Sequence, residues 1–429
     1  MSQLFSLSYP ERPQTGSWLV HLKPFALTLG LAMTLTACGG GGGGGNSDGG
    51  SGETPDPVVG DDARRAVLQD IAEEIILPSL RDFDVKALAL KTAADTLASA
   101  PGDAGARTSA QTAWQAAMTS WQRNEVLQVG PAGRSTNPDM VAAGQDFRSA
   151  IYSWPLTLDS CELELAADNG DAVDGSTELN ITGLGALEHL LFTDVAPDAC
   201  AAQPTATERA LHVQKLAARL ALLATSLRNR WEPAFGNFIN QWNTAGLTSE
   251  IYMSPQHALN ALSIALFYVE KMGKDRKIAY PTGIPAAQLS CTNPASCPEH
   301  LESRTARHSG ANLATNVQAF RDVFTGLNGQ LGMNDLLEGI GRPELATEIV
   351  AELDAVLAQL ATIESSSDFD TTVEGITDRN ECLNAFASSS GLAPCALAGI
   401  LKTAMDTFRG PIIGSLSLAI PDSAAGDND

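Results

Sequence analysis

The chain has 429 residues, of which 44% are hydrophobic and 18% are charged. These fractions exclude a disordered protein and leave room for a sizeable core. The formal net charge of -23 argues against a nucleic-acid binder and against a polybasic membrane-surface binder, since both need basic surface. Only 6% of the residues are aromatic, and Ala and Leu are abundant, which favours helices over sheets.

The N-terminal segment has the features of an export signal. Polar residues with scattered basic groups precede a short apolar run from Phe25 to Leu35, which is too short to span a bilayer. The run ends in the sequence Leu35-Thr36-Ala37-Cys38, which resembles a bacterial lipobox. We expect residues 1–37 to be a lipoprotein signal peptide and Cys38 to carry the lipid. The alternative is an ordinary signal with an incidental cysteine.

A flexible tether is predicted after the lipidation site. Residues 39–45 are all glycine, and residues 46–60 are rich in Gly, Ser, Asp and Pro, so residues 38–60 predict a tether without packed structure. Gly39 is not the aspartate that retains lipoproteins on the inner membrane. We therefore expect anchoring to the bacterial outer membrane, with the body facing the periplasm.

The cysteine count agrees with export. Six cysteines remain besides Cys38, and an even number in an oxidising compartment indicates three disulfides. Six cysteines allow 15 connectivities. Pairing of sequence neighbours gives Cys161–Cys200, Cys291–Cys297 and Cys382–Cys395. A metal-thiolate site is the weaker interpretation, because no CxxC occurs.

The body reads as helices throughout, with apolar residues at steps of three and four. The pattern that begins at Asp61 should kink or break at Pro78, and a long helix over 206–242 should kink at Pro233. The sequence predicts an all-α protein of two helical bundles, over residues 61–245 and 246–420, followed by an acidic tail at 421–429. The other predicted helices span 108–129, 138–153, 178–192, 248–272, 298–324, 343–363, 370–387 and 394–408.

One predicted helix carries a stripe of large side chains. Trp114, Met118, Trp121 and Glu125 follow one another at steps of four, three and four, so they share one helix face. For the tryptophans and the methionine we favour a bundle core. Glu125 is different, because a carboxylate on an apolar stripe needs a partner or a pocket; Arg123 and Arg148 are the available cations.

A second motif is the glycine-containing stretch from Thr182 to Phe192. Glycines at one end of an apolar helix permit a close approach of another helix or a ligand. Glu188 and His189 are both able to ligate a metal or transfer a proton, but adjacent helical residues point about 100° apart and do not chelate one ion as a local pair. The alternative is a helix with one polar edge, which we favour for His189.

A third motif is the basic stretch from Glu299 to Ser309. His300, Arg304 and His308 lie at steps of four, which would place them on one helix face. The favoured interpretation is a solvated face with weak ion pairs, and the functional one is a contact to an anion or a metal complex. The HExxH, GxSxG, P-loop and Rossmann motifs are all absent from the sequence.

Four blocks, in order, resemble the imelysin-like family over residues 61–420. The first runs from Trp114 through Trp121 and Glu125 to Gly130-Pro131, and the second from Arg148 to Trp154-Pro155. The third, residues 183–192, resembles the signature block, and the fourth runs from Glu302-Ser303 to Ser309. The resemblance implies two helical bundles with a functional cleft between them, in an exported protein linked to iron uptake or its regulation.

The resemblance also implies candidate site residues. The family motif is Gly-x-His-x-x-Glu; Gly183 and Glu188 match it, but Gly185 stands at the His position, so a His-plus-Glu metal site and a peptidase activity are in doubt. The candidates for a ligand or metal are Glu125, Gly183, Glu188, His189, His300, Glu302, Arg304, His308 and Ser309, with Trp114, Trp121, Arg148 and Trp154 in support.

Three functions remain open at this point. We expect a non-enzymatic, membrane-tethered binding protein in iron acquisition, with iron, zinc or haem as the possible ligand. The alternatives are a metallopeptidase, which needs a bound metal with an open coordination position, and an outer-membrane module that binds an envelope protein. No nucleic acid is expected as a partner.

Overall fold

The structure opens on an almost continuous helical segment over residues 61–99. In this computed structural model, which describes residues 59–136, 142–286, 291–387 and 390–425, a π-helical turn (Ile71–Ile76) joins α1 (Asp61–Asp70) to α2 (Leu77–Ser99). Pro78 is the second residue of α2 and does not end the helix. A proline lacks the N–H that a helix needs for its hydrogen bond, and its ring clashes with the preceding turn. The wider π-helical turn directly before Pro78 accommodates both effects.

Three of the remaining helices of the first half, Phe147–Ile151, Gly183–Phe192 and Ala206–Trp231, are shorter than the sequence predicts, and the sequence predicts no helix at Ser160–Asn169. Asp103 caps α3, because its Oδ1 accepts a hydrogen bond from the Ala106 N–H at 2.6 Å. The helix predicted over 206–242 ends before Pro233 instead of kinking there. These helices are α3 (Ala104–Glu125), α4 (Phe147–Ile151), α5 (Ser160–Asn169), α6 (Gly183–Phe192), α7 (Ala206–Trp231) and α8 (Phe238–Asn243).

The second half begins after a segment of turns at residues 244–254 and contains a long π-helical segment, Val269–Ala279, between α9 and α10. Pro394 lies in the first turn of α15, as predicted. These helices are α9 (Pro255–Leu266), α10 (Tyr280–Thr282), α11 (Ser309–Thr325), α12 (Met333–Gly339), α13 (Pro343–Ser366), α14 (Phe369–Glu374), α15 (Ala393–Thr407), α16 (Ile413–Leu416) and α17 (Asp422–Ala425). Short 3₁₀ turns lie at Gly130–Ala132, Leu179–Ile181, Pro298–His300 and Arg379–Glu381, and a π-helical turn at Phe408–Ile412.

The predicted helix over residues 298–324 is wrong in its first part. After a single 3₁₀ turn, residues 301–308 form turns, and α11 begins only at Ser309. Arg307 has a φ of 50°, in the left-handed region, which no helix interior accommodates. His300, Arg304 and His308 therefore do not share a helix face.

Two sets of packed helices build the core. In the first half, α2 packs between α3 and α7, and α6 covers both α3 and α7. In the second half, α13 packs between α11 and α15, and the π-helical segment Val269–Ala279 packs against α11 and α15. The contact of α3 with α11 joins the two sets. The all-α prediction is confirmed, since the described part of the chain contains no strand.

The disulfide prediction is also confirmed. The structure pairs Cys161 with Cys200, Cys291 with Cys297, and Cys382 with Cys395. Among the described residues, no helix is both long enough and apolar enough to cross a bilayer. The predicted signal peptide, the lipidation site Cys38 and the tether up to residue 58 lie outside the described residues.

Candidate functional site

Glu125 is the first buried charge of the site, in the last turn of α3. Its Oε1 accepts a hydrogen bond from Trp121 Nε1 at 2.5 Å, and its Oε2 lies 3.1 Å from Nε of Arg148 on α4. Burial raises the pKa of Glu125, and the attraction of Arg148 opposes that shift. Of the two cations that the sequence offered, Arg148 is thus the partner, because Arg123 pairs with Asp322 instead.

Lys277 lies at the centre of the site and is completely enclosed. Its Nζ is 2.9 Å from Glu302 Oε2, 2.9 Å from Gln122 Oε1 and 2.6 Å from Asn316 Oδ1. Burial lowers the pKa of Lys277, while Glu302 raises it. The sequence analysis did not select Lys277, because the helix predicted over 248–272 ends before this residue. Only the π-helical segment, which shifts the side-chain register, turns this lysine inwards.

Glu302 and the turn that follows it are tied to two other helices. Nδ2 of Asn312 donates to Glu302 Oε2 at 3.0 Å, and Ser309 Oγ accepts from the Ser303 N–H at 3.1 Å. The Ser309 hydroxyl in turn donates to Asp370 Oδ1 at 2.7 Å. Burial raises the pKa of Asp370 to about 6, although the hydrogen bonds from Ser309 act to lower it. Hydrogen bonds therefore connect the turn at 301–308 to α11 and, through Ser309, to α14.

Glu188 approaches this turn from α6. Its Oε1 accepts a hydrogen bond from the Ala306 N–H at 3.1 Å, and its side chain is buried. Burial raises the pKa of Glu188 to about 8, despite that hydrogen bond. Gly183 begins α6 with a φ of 72°, where an added Cβ would collide with the carbonyl of Ile151. The Gly183 position thus needs glycine for a structural reason.

The four remaining polar or basic candidates each have a different hydrogen-bonding or stacking partner. His189 Nε2 is 2.8 Å from Glu164 Oε1, on another side of α6 from Glu188. His300 stacks on Tyr280, with ring centroids 4.0 Å apart. Arg304 pairs with Glu374 at the surface, and His308 Nε2 lies 3.0 Å from Thr119 Oγ1. The sequence spacing gave no indication of these separate partners.

Two of the three tryptophan candidates, Trp114 and Trp121, have structural positions, as expected for a bundle core. Trp114 and Trp121 are completely buried, and Trp114 Nε1 donates to the Leu184 carbonyl at 2.9 Å. Trp154 is half-buried, and Nζ of Lys277 lies 5.7 Å from its ring centroid. The backbone carbonyl of Trp154 also accepts a hydrogen bond from Arg148.

A cavity of about 370 Å³ opens next to α6, and we call it the ligand cavity. Gly185, Glu188 and His189 line it from α6, and Glu302 lines it from the opposite turn. Its other lining residues include Tyr152, Trp154, the stacked His300–Tyr280 pair, Arg276 and Arg304. The cavity is large enough for a small organic molecule and combines aromatic walls with a few polar groups.

The described residues do not fit a bound metal ion. They include no group of three or more His, Cys, Asp or Glu side chains that could hold one. The oxygens of Gln122, Glu302 and Asn316 already surround the ammonium group of Lys277. Zinc and iron sites usually need at least three protein ligands, so the Glu188 carboxylate alone does not make one.

Comparisons with known proteins agree on one family. The family model described as imelysin, peptidase M75, matches residues 76–389. No curated protein matches the chain. A crystal structure described as an iron-regulated protein A precursor, from Parabacteroides distasonis ATCC 8503, is similar with a TM-score of 0.63 at 17% identity. An imelysin-like protein from Psychrobacter arcticus 273-4 is similar with a TM-score of 0.59 at 16% identity. In both cases the match covers 84% of this chain and 97% of the other.

Replacement of Lys277 tests the central ion pair. Lys277→Met leaves Glu302 buried without its cation, so we expect a loss of about 3–5 kcal/mol in the free energy of unfolding, measured with urea. The double variant Lys277→Met/Glu302→Gln should lose less, because no lone buried charge remains. Lys91→Met removes an exposed ion pair with Asp95 and should cost about 0.5 kcal/mol or less. If Lys277→Met and Lys91→Met lost equal free energies of unfolding, Lys277 and Glu302 would not form the central ion pair of the site.

The pH dependence of stability tests Glu188. The pKa of Glu188 is about 8 in the folded protein, against an ordinary value of 4.5 that applies to the unfolded chain. Between pH 4.5 and pH 8 the folded state therefore holds a proton that the unfolded chain releases. Stability should therefore fall from pH 5 to pH 8, by up to about 1.4 kcal/mol per pH unit, and level off above. Glu188→Gln should show a shallower fall than the unaltered protein, and the exposed Glu381→Gln should not. If the stability of Glu188→Gln changed with pH in the same way as that of the unaltered protein, the raised pKa of Glu188 would be refuted.

Proposed function

Because the chain belongs to the imelysin family, we propose that it is an exported, lipid-anchored binding protein without enzymatic activity, acting in iron acquisition or its regulation. The observation that carries the proposal is the ligand cavity. Gly185 and Glu188 line it, and both belong to α6, the helix that contains the family's signature block. The family match leaves the activity open. The relation to iron draws support from the P. distasonis neighbour, which is described as iron-regulated.

The ligand that fits the ligand cavity is an iron complex with an organic shell, such as haem or a small ferric chelate. A bare ion needs converging ligand atoms, and the described residues offer none in the required number. An organic shell instead needs apolar and aromatic surface, which Trp154, Tyr280 and His300 provide at the cavity wall. Arg276 and Arg304 add positive charge for the carboxylates that such complexes carry.

Gly185 supports binding over peptidase chemistry. A Cβ added at this position would meet only the Tyr152 ring, at 3.9 Å, so glycine is not required there for packing. It leaves free space in the cavity wall at the position where the family motif has histidine. The ligand cavity thereby gains volume and lacks the motif's second metal ligand.

Export and anchoring are the second part of the proposal. Three disulfides support an oxidising compartment, and the P. distasonis neighbour is described as a precursor. The lipobox at Cys38 and the glycine run after it support a lipid anchor on a tether. A tethered body can reach partners near the membrane while remaining outside the bilayer.

Ligand titration tests the binding function. The exported protein, purified without chelators, is titrated by calorimetry with haem, ferric citrate, zinc and copper, and its metal content is measured by mass spectrometry. We expect one-to-one binding of haem or ferric citrate, weakened at least about tenfold by His300→Ala and by Gly185→Tyr, which fills the cavity. Gly339→Tyr, at an exposed helix end with open space around it, should bind as the unaltered protein does.

The other outcomes of the titration separate the alternatives. Tight binding of zinc alone, abolished by Glu188→Ala and accompanied by cleavage of a protein substrate, would favour the metallopeptidase. If no metal or complex binds while an envelope protein is retained specifically, the chain is an interaction module. Either result would overturn the proposed function.

Fractionation of cells tests the anchor. We expect the protein in the outer-membrane fraction, and Cys38→Ser should release it into the soluble periplasmic fraction because no lipid can attach. Gly39→Asp should move it to the inner membrane while leaving it lipidated. Retention of Cys38→Ser in the outer membrane would contradict lipid anchoring.

A further inference from the structure

A second cavity, of about 420 Å³, lies beside the ligand cavity, and we call it the second cavity. The two share Pro155 and Arg276 in their walls, but otherwise different residues line them. Glu125 and Arg148 border the second cavity, together with residues of α9 and of the π-helical segment that follows. Its volume lies within the range of sites for small molecules.

Positive charge predominates in the lining of the second cavity. Arg134, Arg148, Lys271 and Arg276 border it, against the single carboxylate of Glu125. Arg148 is paired with Glu125, and Lys271 Nζ lies 3.1 Å from Asp275 Oδ2. In a chain with a net charge of -23, such a local excess of cations is unusual.

Arg276 is the cation that most needs a partner. It is half-buried, yet within the described residues no carboxylate or carbonyl oxygen accepts a hydrogen bond from its guanidinium group. Arg134, at the exposed rim, likewise has no ion-pair partner in the described part of the chain. A partly desolvated guanidinium without an anion loses hydration and gains nothing in return, so a bound anion would stabilise this arrangement.

The rest of the lining is apolar. Ile264 and Phe267 from the α9 region, and Met272 from the π-helical segment, contribute hydrocarbon and aromatic surface. Tyr268 lies near Glu125, but its hydroxyl makes no hydrogen bond of good geometry in the described structure. The cavity therefore has a cationic part and an apolar part.

We infer that the second cavity binds a small amphipathic carboxylate, whose anionic group pairs with Arg276 and Arg134 and whose apolar body packs against Ile264 and Met272. A guanidinium group binds the two oxygens of a carboxylate in parallel, which gives this class both affinity and orientation. A phosphate monoester carries close to two negative charges. The Glu125 carboxylate in the same lining repels the second of these charges, which favours a carboxylate ligand over a phosphate ester.

The test uses octanoate as the probe, with octanamide and octyl phosphate as matched ligands, titrated by calorimetry into the full exported protein. Octanoate should bind one-to-one, at least about tenfold more tightly than octanamide, since the amide lacks the charge-assisted hydrogen bonds. Arg276→Gln should weaken octanoate binding about tenfold or more, and Arg134→Gln should weaken it by a smaller factor. Ile264→Trp should abolish it by filling the cavity.

Two further variants keep the inference separate from the proposed function. Arg304→Gln and Gly185→Tyr alter only the ligand cavity and should leave octanoate binding unchanged. Octanamide that binds as tightly as octanoate, or octanoate binding that survives both Arg276→Gln and Ile264→Trp, would overturn the inference. Tighter binding of octyl phosphate than of octanoate would assign the cavity to phosphate esters instead. Absence of octanoate binding in a correctly folded protein would also refute it, whatever the ligand cavity binds.

Discussion

The ion pair between Lys277 and Glu302 is the interaction on which the architecture of the site depends. It brings the π-helical segment Val269–Ala279 together with the turn that precedes α11, and Gln122 of α3 completes the arrangement by contacting both charges. A buried pair of charges is stable only when its remaining hydrogen-bonding groups are satisfied. Asn312 and Asn316 of α11 provide those bonds, so the pair also fixes α3 against α11, where the two sets of helices meet.

This arrangement places two buried carboxylates close to one cavity in different electrostatic environments. Glu302 has a lysine beside it, whereas Glu188 has neutral hydrogen-bond donors, the Ala306 N–H and the Ser303 side chain, and its burial raises its pKa to about 8. At neutral pH the protonated form of Glu188 therefore predominates, and a protonated carboxyl donates a hydrogen bond instead of coordinating a cation. The site thus carries its own cation, Lys277, which accounts for its poor fit to a metal ion.

The sequence was informative where structure follows from local pattern. Apolar spacing predicted the cores of α3, α13 and α15, and cysteine proximity predicted all three disulfides, since each closes a short or moderate loop. The expectation that Glu125 needs a partner or a pocket followed from its position on an apolar stripe, and Arg148 is that partner. These are features in which residues close in sequence, or an obvious burial cost, decide the outcome.

The remainder depended on contacts between distant segments. A helical reading of residues 301–308 satisfied the spacing of His300, Arg304 and His308, but hydrogen bonds of Ser309 with Asp370 and of Ala306 with Glu188 favour a turn there. Lys277 and Arg276 lie beyond the helix predicted over 248–272, and no local pattern in the sequence assigned them a position. The π-helical register directs Lys277 inwards to Glu302 and places Arg276 between the two cavities. Because one segment supplies both residues, a change in its register would alter the buried ion pair and both cavity walls together, which links the stability of the core to the shape of the binding surfaces.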